Sequence, residues 1–377
     1  MTIDIIGAGI GGLTTAIALE QKGMHVRVFE QAEEIKPIGA GIILASNAMQ
    51  VYEKLGLKNE IEENGNAISA VLITIADLSP ISTIDLSYFE KKYNVKNIAM
   101  HRGTLQQILI DKLVSTKIHV DHKLKKATKI SEGHHLEFEN GKEYQSSTLI
   151  GADGINSIVR RDLFSNNTIR NANQICWRGI AEYDLLSKFK KELNEAWGNS
   201  ERFGFAQIAK NKVYWYALKS YKTDTYEYTV KNIEFYFEKF SSTIRDIIAL
   251  TPKEQIHTAE ISDLKPTRTW FKDNVCLIGD SAHATTPNMG QGACQAIEDA
   301  YVLSECLEKH EPNVAFENFQ RIRLPKAHQV VKTSWMVGKI SHMSNPVLIR
   351  IRNQIMKMTP SSINRKQSEQ IFKLESI

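Results

Sequence analysis

The sequence predicts an α/β protein: an open sheet of alternating strands and helices assembled from separate stretches of chain, an inserted and mainly antiparallel β-sheet domain, and a C-terminal helical tail. Three observations carry this. A glycine-rich turn joins an apolar strand to a helical pattern at the N-terminus. From about residue 171 to 261 the chain becomes aromatic, in short strand-like pieces. A buried strand then returns at Val275-Cys276-Leu277-Ile278, followed by Gly279-Asp280 and a long helical pattern.

The first strand is Ile3-Asp4-Ile5-Ile6, and Leu13, Ala16, Ile17 and Glu20 follow at helical spacing. A second strand, Val26-Arg27-Val28-Phe29, ends at Glu30 and completes a βαβ unit. The run from Gly39 to Leu44 leads into a helix from about Asn47 to Leu55, and two paired strands are expected near 70–75 and 81–86. A helix runs from Thr104 to about Val114. Asn140-Gly141 between two strand-like runs is a strong hairpin signal. Thr148-Leu149-Ile150 then enters Gly151-Ala152-Asp153-Gly154.

In the middle segment, Trp177, Phe203, Phe205, Tyr214, Trp215 and Tyr216 are expected to build one dry wall of a site, beside a helix near Asn232 to Phe240. A helix from about Gln291 to Leu307 and a tail broken at Pro325 and Pro346 finish the chain. The nucleotide-binding part is therefore expected at 1–68, 96–170 and 264–340, the inserted part at 69–95 and 171–263, and the tail at 341–377.

With 377 residues, the chain suits two closely packed domains. Its apolar share of 42% and charged share of 24% are those of a soluble globular protein. A net charge of +4 is too mild to imply nucleic acid. One asymmetry exists: from Phe319 onward there are eleven Lys and Arg against two acids. It reads as a solvated helical face, with contact to an acidic surface or membrane as the alternative. Cys176, Cys276, Cys294 and Cys306 have neither zinc spacing nor a disulfide framework, so a cytoplasmic protein with reduced thiols and no metal is expected. No integral membrane segment or targeting peptide is expected: Ile3 to Leu19 carries Asp4, lacks a basic leader and is punctuated by glycines.

Gly7-Ala8-Gly9-Ile10-Gly11-Gly12 fits G-x-G-x-x-G in its strand-to-helix setting. Gly7 permits the tight turn, Gly9 lets backbone approach a pyrophosphate, and Gly12 lets helix and strand pack closely. Glu30, eighteen residues after Gly12, can accept hydrogen bonds from a ribose diol. This is a Rossmann-like dinucleotide site.

Two later motifs choose the dinucleotide: Asp153-Gly154 followed by Ser157 and Arg160, and the block from Gly279 to Gly292. Together with Gly7–Gly12 they resemble the three fingerprints of the para-hydroxybenzoate hydroxylase family, the group A FAD-dependent aromatic monooxygenases. The resemblance runs from residue 3 to about 330. It implies non-covalent FAD, NADH or NADPH as a transient electron donor, O2, and hydroxylation of a small electron-rich aromatic or heteroaromatic substrate through a C4a-hydroperoxyflavin. A monomer or homodimer is expected. Asp280 would bond the ribityl hydroxyls, Gly290 and Gly292 would open a helix toward the flavin, and Pro287 would stiffen the turn beside the ring. Asp153 would serve FAD and the nicotinamide donor, and Arg102 the phosphates or ribityl chain, with Gln106 a weaker candidate. His283 would pack structurally.

Within the family, Trp177-Arg178-Gly179-Ile180, Glu201-Arg202 and Val213-Tyr214-Trp215 most resemble the FAD-dependent urate hydroxylase branch. There, Arg202 and Tyr214 would hold the substrate. The sequence departs at Asn288, where that branch has an acid, which weakens urate as the acceptor and leaves salicylate-type and tetracycline-type substrates open. The alternatives are a same-fold reductase or halogenase-like enzyme, and a non-enzymatic flavin-binding module.

Overall fold

The computed structural model describes residues 2–36, 39–164, 168–221, 233–375 and 377. Strand Thr2–Ile6 lies inside a six-stranded sheet, with His25–Phe29 and Lys117–His119 on one side. On the other side lie Thr148–Gly151, Val275–Leu277 and an antiparallel edge strand, Phe271–Lys272. The five other strands run parallel and all but Lys117–His119 are largely buried, as apolar runs covered on both faces must be. Helix Ile10–Glu20 is buried on nearly every side, between this sheet and helix Gly292–Lys309. Gly11 makes that approach possible: a Cβ there would lie 3.0 Å from the Ala296 Cβ.

The hairpin forms where Asn140-Gly141 predicts it, joining Gly133–Phe138 to Glu143–Ser146, with Gly141 at φ +79°. Strands Gly41–Leu44, Asn97–His101 and Asn66–Ile68 make a small antiparallel sheet beside the glycine loop.

The second large sheet has seven strands in the order His257–Leu264, Ile169–Glu182, Lys212–Ser220, Glu201–Ala209, Glu192–Trp197, Ala70–Ile75, Pro80–Asp85. Every neighbour is antiparallel except Glu192–Trp197 beside Ala70–Ile75. Side chains alternate faces along a strand, so register sorts the aromatics. Trp177, Phe203, Phe205 and Trp215 point to the far face, where they pack with Ile244, Ile247 and Ile248 of helix Ser242–Ala249. Of the six aromatics expected to line a site, only Tyr214 and Tyr216 point toward the nucleotide-binding sheet. The far four were misassigned because composition does not reveal strand parity.

The helix expected at 232–240 is, among described residues, a single turn at Ile233–Tyr236 followed by Ser242–Ala249; Asn232 lies outside the described residues. Pro346 starts a new helix, Pro346–Met358, as expected. Pro325 does not break the chain: helix Pro312–Ser341 runs through it for thirty residues. Its flanking residues Arg323 and Lys326 are buried and ion-paired to Glu298 and Asp299 of the neighbouring helix. Those contacts offset the lost hydrogen bond and ring clash, about 3 kcal/mol.

Candidate active site

A cavity of about 1600 Å³ lies between the C-terminal ends of the parallel strands, the near face of the seven-stranded sheet, and the C-terminal helices. At the nucleotide end, Gly7 has φ +108°, and a Cβ there would come within 2.5 Å of the Ala152 carbonyl oxygen. A Cβ on Gly12 would come within 2.0 Å of the Gly7 carbonyl oxygen, so only glycine lets this helix sit so close to the strand. Gly9 faces open space, and its helix has no side-chain cap. Free N–H groups at such a helix end attract phosphate.

Glu30 accepts from the backbone N–H of Ala8 (2.8 Å) and Ala32 (3.0 Å), which fixes its carboxylate at the cavity wall. Gln106 ties its helix to the same loop by donating to the Ala8 carbonyl at 2.9 Å. Asp153 lines the cavity and also acts on the helix that follows it. Its Oδ2 accepts from Ile158 N (2.7 Å) and Val159 N (3.1 Å), capping helix Ile158–Leu163. Its Oδ1 is buried without a partner among the described residues, and burial pushes the carboxyl up against those stabilising N–H groups.

Arg102 and Asp280 are different. Both side chains line the cavity and have no hydrogen-bonding partner among the described residues, although the Arg102 backbone N–H donates to the Ala40 carbonyl at 3.1 Å. The enclosure raises the Asp280 carboxyl, while His283 and Arg102 pull it back. A free guanidinium, a free carboxylate and an uncapped helix N-terminus in one cavity fit the phosphates and hydroxyls of FAD. Gly290 (φ +61°) and the helix start at Gly292 lie at the same wall, next to Pro287.

At the other end, register places Arg178, Glu195, Tyr214 and Tyr216 on the cavity-facing side of the sheet. Tyr214 lies on Gly41, where a Cβ would fall 2.3 Å from its Cγ, and Tyr216 lies across Gly204 in the same way. Burial pushes the Tyr214 phenol up to about 12, with Arg178 opposing. Burial and the neighbouring Glu195 carboxylate raise Tyr216 further. Tyr216 donates to Glu195 Oε2, and Trp197 Nε1 donates to Glu195 Oε1 at 2.6 Å.

Arg202 points to the same face of the sheet as Tyr214 and Tyr216 but lies beneath its neighbours, 6.0 Å from the centre of the Tyr216 ring. It is fully buried and absent from the cavity lining; its Nη2 donates to Asn288 Oδ1 at 2.6 Å, and Nη1 lies 3.5 Å from Glu195. Asn288 in turn donates to Thr286 Oγ1 and the Ser334 carbonyl, both at 2.9 Å. Asn288, where the urate branch has an acid, thus links the third fingerprint, the sheet and the long C-terminal helix. Sequence reasoning missed Glu195 and the cavity position of Arg178, and named Tyr216 only among the wall aromatics. The available signal was parity: Arg178 pairs with Tyr216 and Ile180 with Tyr214.

The profile of the FAD binding domain family matches residues 1–334. The chain belongs to that family. Aurachin C monooxygenase/isomerase of Stigmatella aurantiaca is 32% identical over 365 residues, covering 96% of this chain and 95% of that protein. 2-Heptyl-3-hydroxy-4(1H)-quinolone synthase of Pseudomonas aeruginosa is 29% identical, covering 99% and 98%. The structure of Klebsiella pneumoniae HpxO complexed with FAD and uric acid superposes with a TM-score of 0.90 at 22% identity, covering 99% of this chain and 96% of that one, which shows the fold. The protein is an FAD-dependent monooxygenase, as the three fingerprints implied. Among its described residues no helix is long and apolar enough to cross a membrane.

The flavoprotein anchors its third fingerprint with a buried ionic cluster. His283 Nε2 meets Asp299 Oδ2 at 2.6 Å, Arg323 Nε donates to Asp299 Oδ1 at 2.8 Å, and Gly279 N donates to Asp299 at 2.8 Å. Burial alone would raise Asp299, but His283 and Arg323 hold it at about 2. His283 is thereby committed to structure.

Proposed function

We propose that this monooxygenase hydroxylates a small electron-rich heteroaromatic ring that carries an apolar substituent. On this reading Gly7, Gly9, Gly12, Glu30, Arg102, Asp153, Asp280, Gly290 and Gly292 hold FAD, residues 69–95 and 171–263 form the substrate-facing part, and NADH or NADPH and O2 are co-substrates. One observation carries the substrate reading. Between the sheet and the C-terminal helices the cavity is lined by Val71, Ile73, Ile84, Leu193, Met336 and Ile340, an apolar annex with no use for urate. The heptyl chain in the name of the quinolone synthase is the kind of group such an annex would take.

Bound FAD, reduced by NADH or NADPH, supplies the oxygen-transfer chemistry. The protein's residues orient the ring and exclude water. Arg178 faces the cavity as a cation for a ring oxygen. Tyr214 and Pro287 bound the ring, and the Tyr216–Glu195 pair can receive a proton from a ring N–H or O–H, which enriches the ring in electrons. Arg202 is a positioning residue acting through Asn288 and Glu195, and not a direct substrate contact.

The test is substrate-stimulated NADH or NADPH oxidation, with product mass, over 4-quinolones of increasing 2-alkyl length, against urate and salicylate. KM should fall roughly fourfold per added methylene until the annex is full, from about 0.8 kcal/mol per buried CH2. Hydroxylation of urate with no response to any alkylated ring would overturn the reading.

A further inference from the structure

We propose that helix Pro346–Met358 docks this enzyme on an anionic membrane surface, lying flat beside the mouth of the cavity. The helix has an anchored inner face and an exposed apolar outer face. Its inner face is anchored: Arg352 is buried, donates to the Ile340 and Ser341 carbonyls at 3.0 and 3.3 Å, and stacks 5.0 Å from the centre of the Trp197 ring. Met356 lines the cavity from the same side. The outer face carries Val347, Leu348, Ile351, Ile355 and Met358, between 50% and 78% exposed. At 100° per residue these five fall within a stripe about 100° wide. Met336 and Ile340 of the preceding helix are also exposed and also line the cavity, so apolar side chains of the annex reach the surface on the helix to which Arg352 is bonded.

Charge selects the occupant. Arg350 and Lys357 of the same helix, Lys332 and Lys339 of the helix before it and Lys366 of the helix after it are exposed, and none of them is in an ion pair among the described residues. The chain beyond Phe319 holds eleven basic and two acidic residues, and one of those acids, Glu369, is already paired with Lys92. An exposed apolar stripe with unpaired cations at its edges is the pattern of a helix that sits at a headgroup–acyl boundary and prefers anionic lipid. A soluble partner of the same shape would have to supply both an apolar groove and a dense acidic rim, which a bilayer provides without further design. Uptake of an apolar-tailed substrate from the bilayer rests on the substrate reading above; the docking does not.

The experiment is flotation of the full-length, FAD-loaded protein with phosphatidylcholine vesicles, with and without phosphatidylglycerol. No substrate is present, so failure of the substrate reading leaves the result unaffected. Wild type should float with the anionic vesicles, far less with the neutral ones, and less again at high salt. Ile351→Ser with Ile355→Ser should weaken partitioning roughly tenfold or more. Arg350→Ser with Lys357→Ser should reduce the preference for anionic lipid. All variants should keep FAD absorbance and NADH or NADPH oxidation in solution. Absence of flotation, or equal flotation of the Ser double variant, overturns the proposal. It is also overturned if light scattering shows that the Ser substitutions dissociate a dimer that never binds vesicles, since the stripe is then an interface between copies.

Discussion

His342 makes the stability of the fold depend on acid, and its environment sets the size of the effect. It is buried between Ser220 and Ser200: its Nδ1 lies 2.8 Å from Ser220 Oγ and 3.1 Å from the Ser200 carbonyl, while Nε2 has no partner among the described residues. Protonating Nε2 would bury a second charge beside Arg202. Burial first, then the Arg202, Lys219 and Arg352 charges, push the imidazole down to about 3, with the Ser200 carbonyl pulling it back. A group whose folded pKa is depressed in this way is neutral in the folded state and charged in the unfolded state as pH falls. The unfolded chain then binds more protons, so stability is complete above the unfolded pKa of about 6.5 and drains away as pH drops below it. From about pH 7.5 to about pH 5 the loss is about 2 kcal/mol, from RT ln(1 + 10^1.5). That figure is set by the unfolded pKa and stays the same for any folded value below about 4. Other histidines with lowered pKa, such as His134 and His328, add loss of the same sign, so the comparison is with His342→Asn, which keeps a donor near the Nδ1 position. Urea unfolding of both proteins at the two pH values should show wild type losing about 2 kcal/mol more than the variant. Equal losses, within about 0.5 kcal/mol, would refute the reasoning.

Three further outcomes are expected. Asp280→Ala should lose FAD roughly 10- to 150-fold more readily, while Asp111→Ala, which removes an exposed helix acid, should not; equal retention by ultrafiltration and absorbance would remove Asp280 from the site. Gly41→Ala should cost about 1–3 kcal/mol through the clash with Tyr214, and adding Tyr214→Ala should recover part of it in a double-mutant cycle; no loss would mean that Tyr214 does not lie on Gly41. Asn288→Ala removes the acceptor of Arg202 and should cost about 1–3 kcal/mol, with less product formed per NADH or NADPH consumed once a substrate is found. Asn288→Asp should keep the Arg202 contact but set a carboxylate against the Ser334 carbonyl, so stability that matches wild type would argue against the observed amide orientation.

The features legible in the sequence were those encoded by local chemistry. Gly7 and Gly12 are required by approaches that no side chain survives, Gly9 leaves open space at the start of its helix, and Asn140-Gly141 forms its turn where the dipeptide predicts it. Asp280 and Arg102 announced themselves by motif and do face the cavity. What the sequence did not show came from partners remote in it. Arg202, read from the sequence as a substrate arginine, donates its Nη2 to Asn288, eighty-six residues away. Pro325 reads as a helix end until Glu298 and Asp299 of the neighbouring helix bind the cations on either side of it. The aromatic segment reads as a wall until strand register turns Trp177, Phe203, Phe205 and Trp215 to the far face. Composition is blind to parity, and a one-residue shift exchanges the two faces.

The pairing of the two large sheets also dictates an order of events for the growing chain. Strand Thr2–Ile6 meets its inner neighbour only at Thr148–Gly151, which in turn waits for Val275–Leu277. Strand Ala70–Ile75 is left with one edge open until Glu192–Trp197 arrives to pair with it in parallel. Such non-local closures are slow, and unpaired apolar edges invite association while they last. The first fingerprint is thus made early but has no complete pocket until the last quarter of the chain appears. Synthesis with FAD scarce should therefore leave a long-lived, protease-sensitive precursor whose maturation is limited by assembly of the pocket.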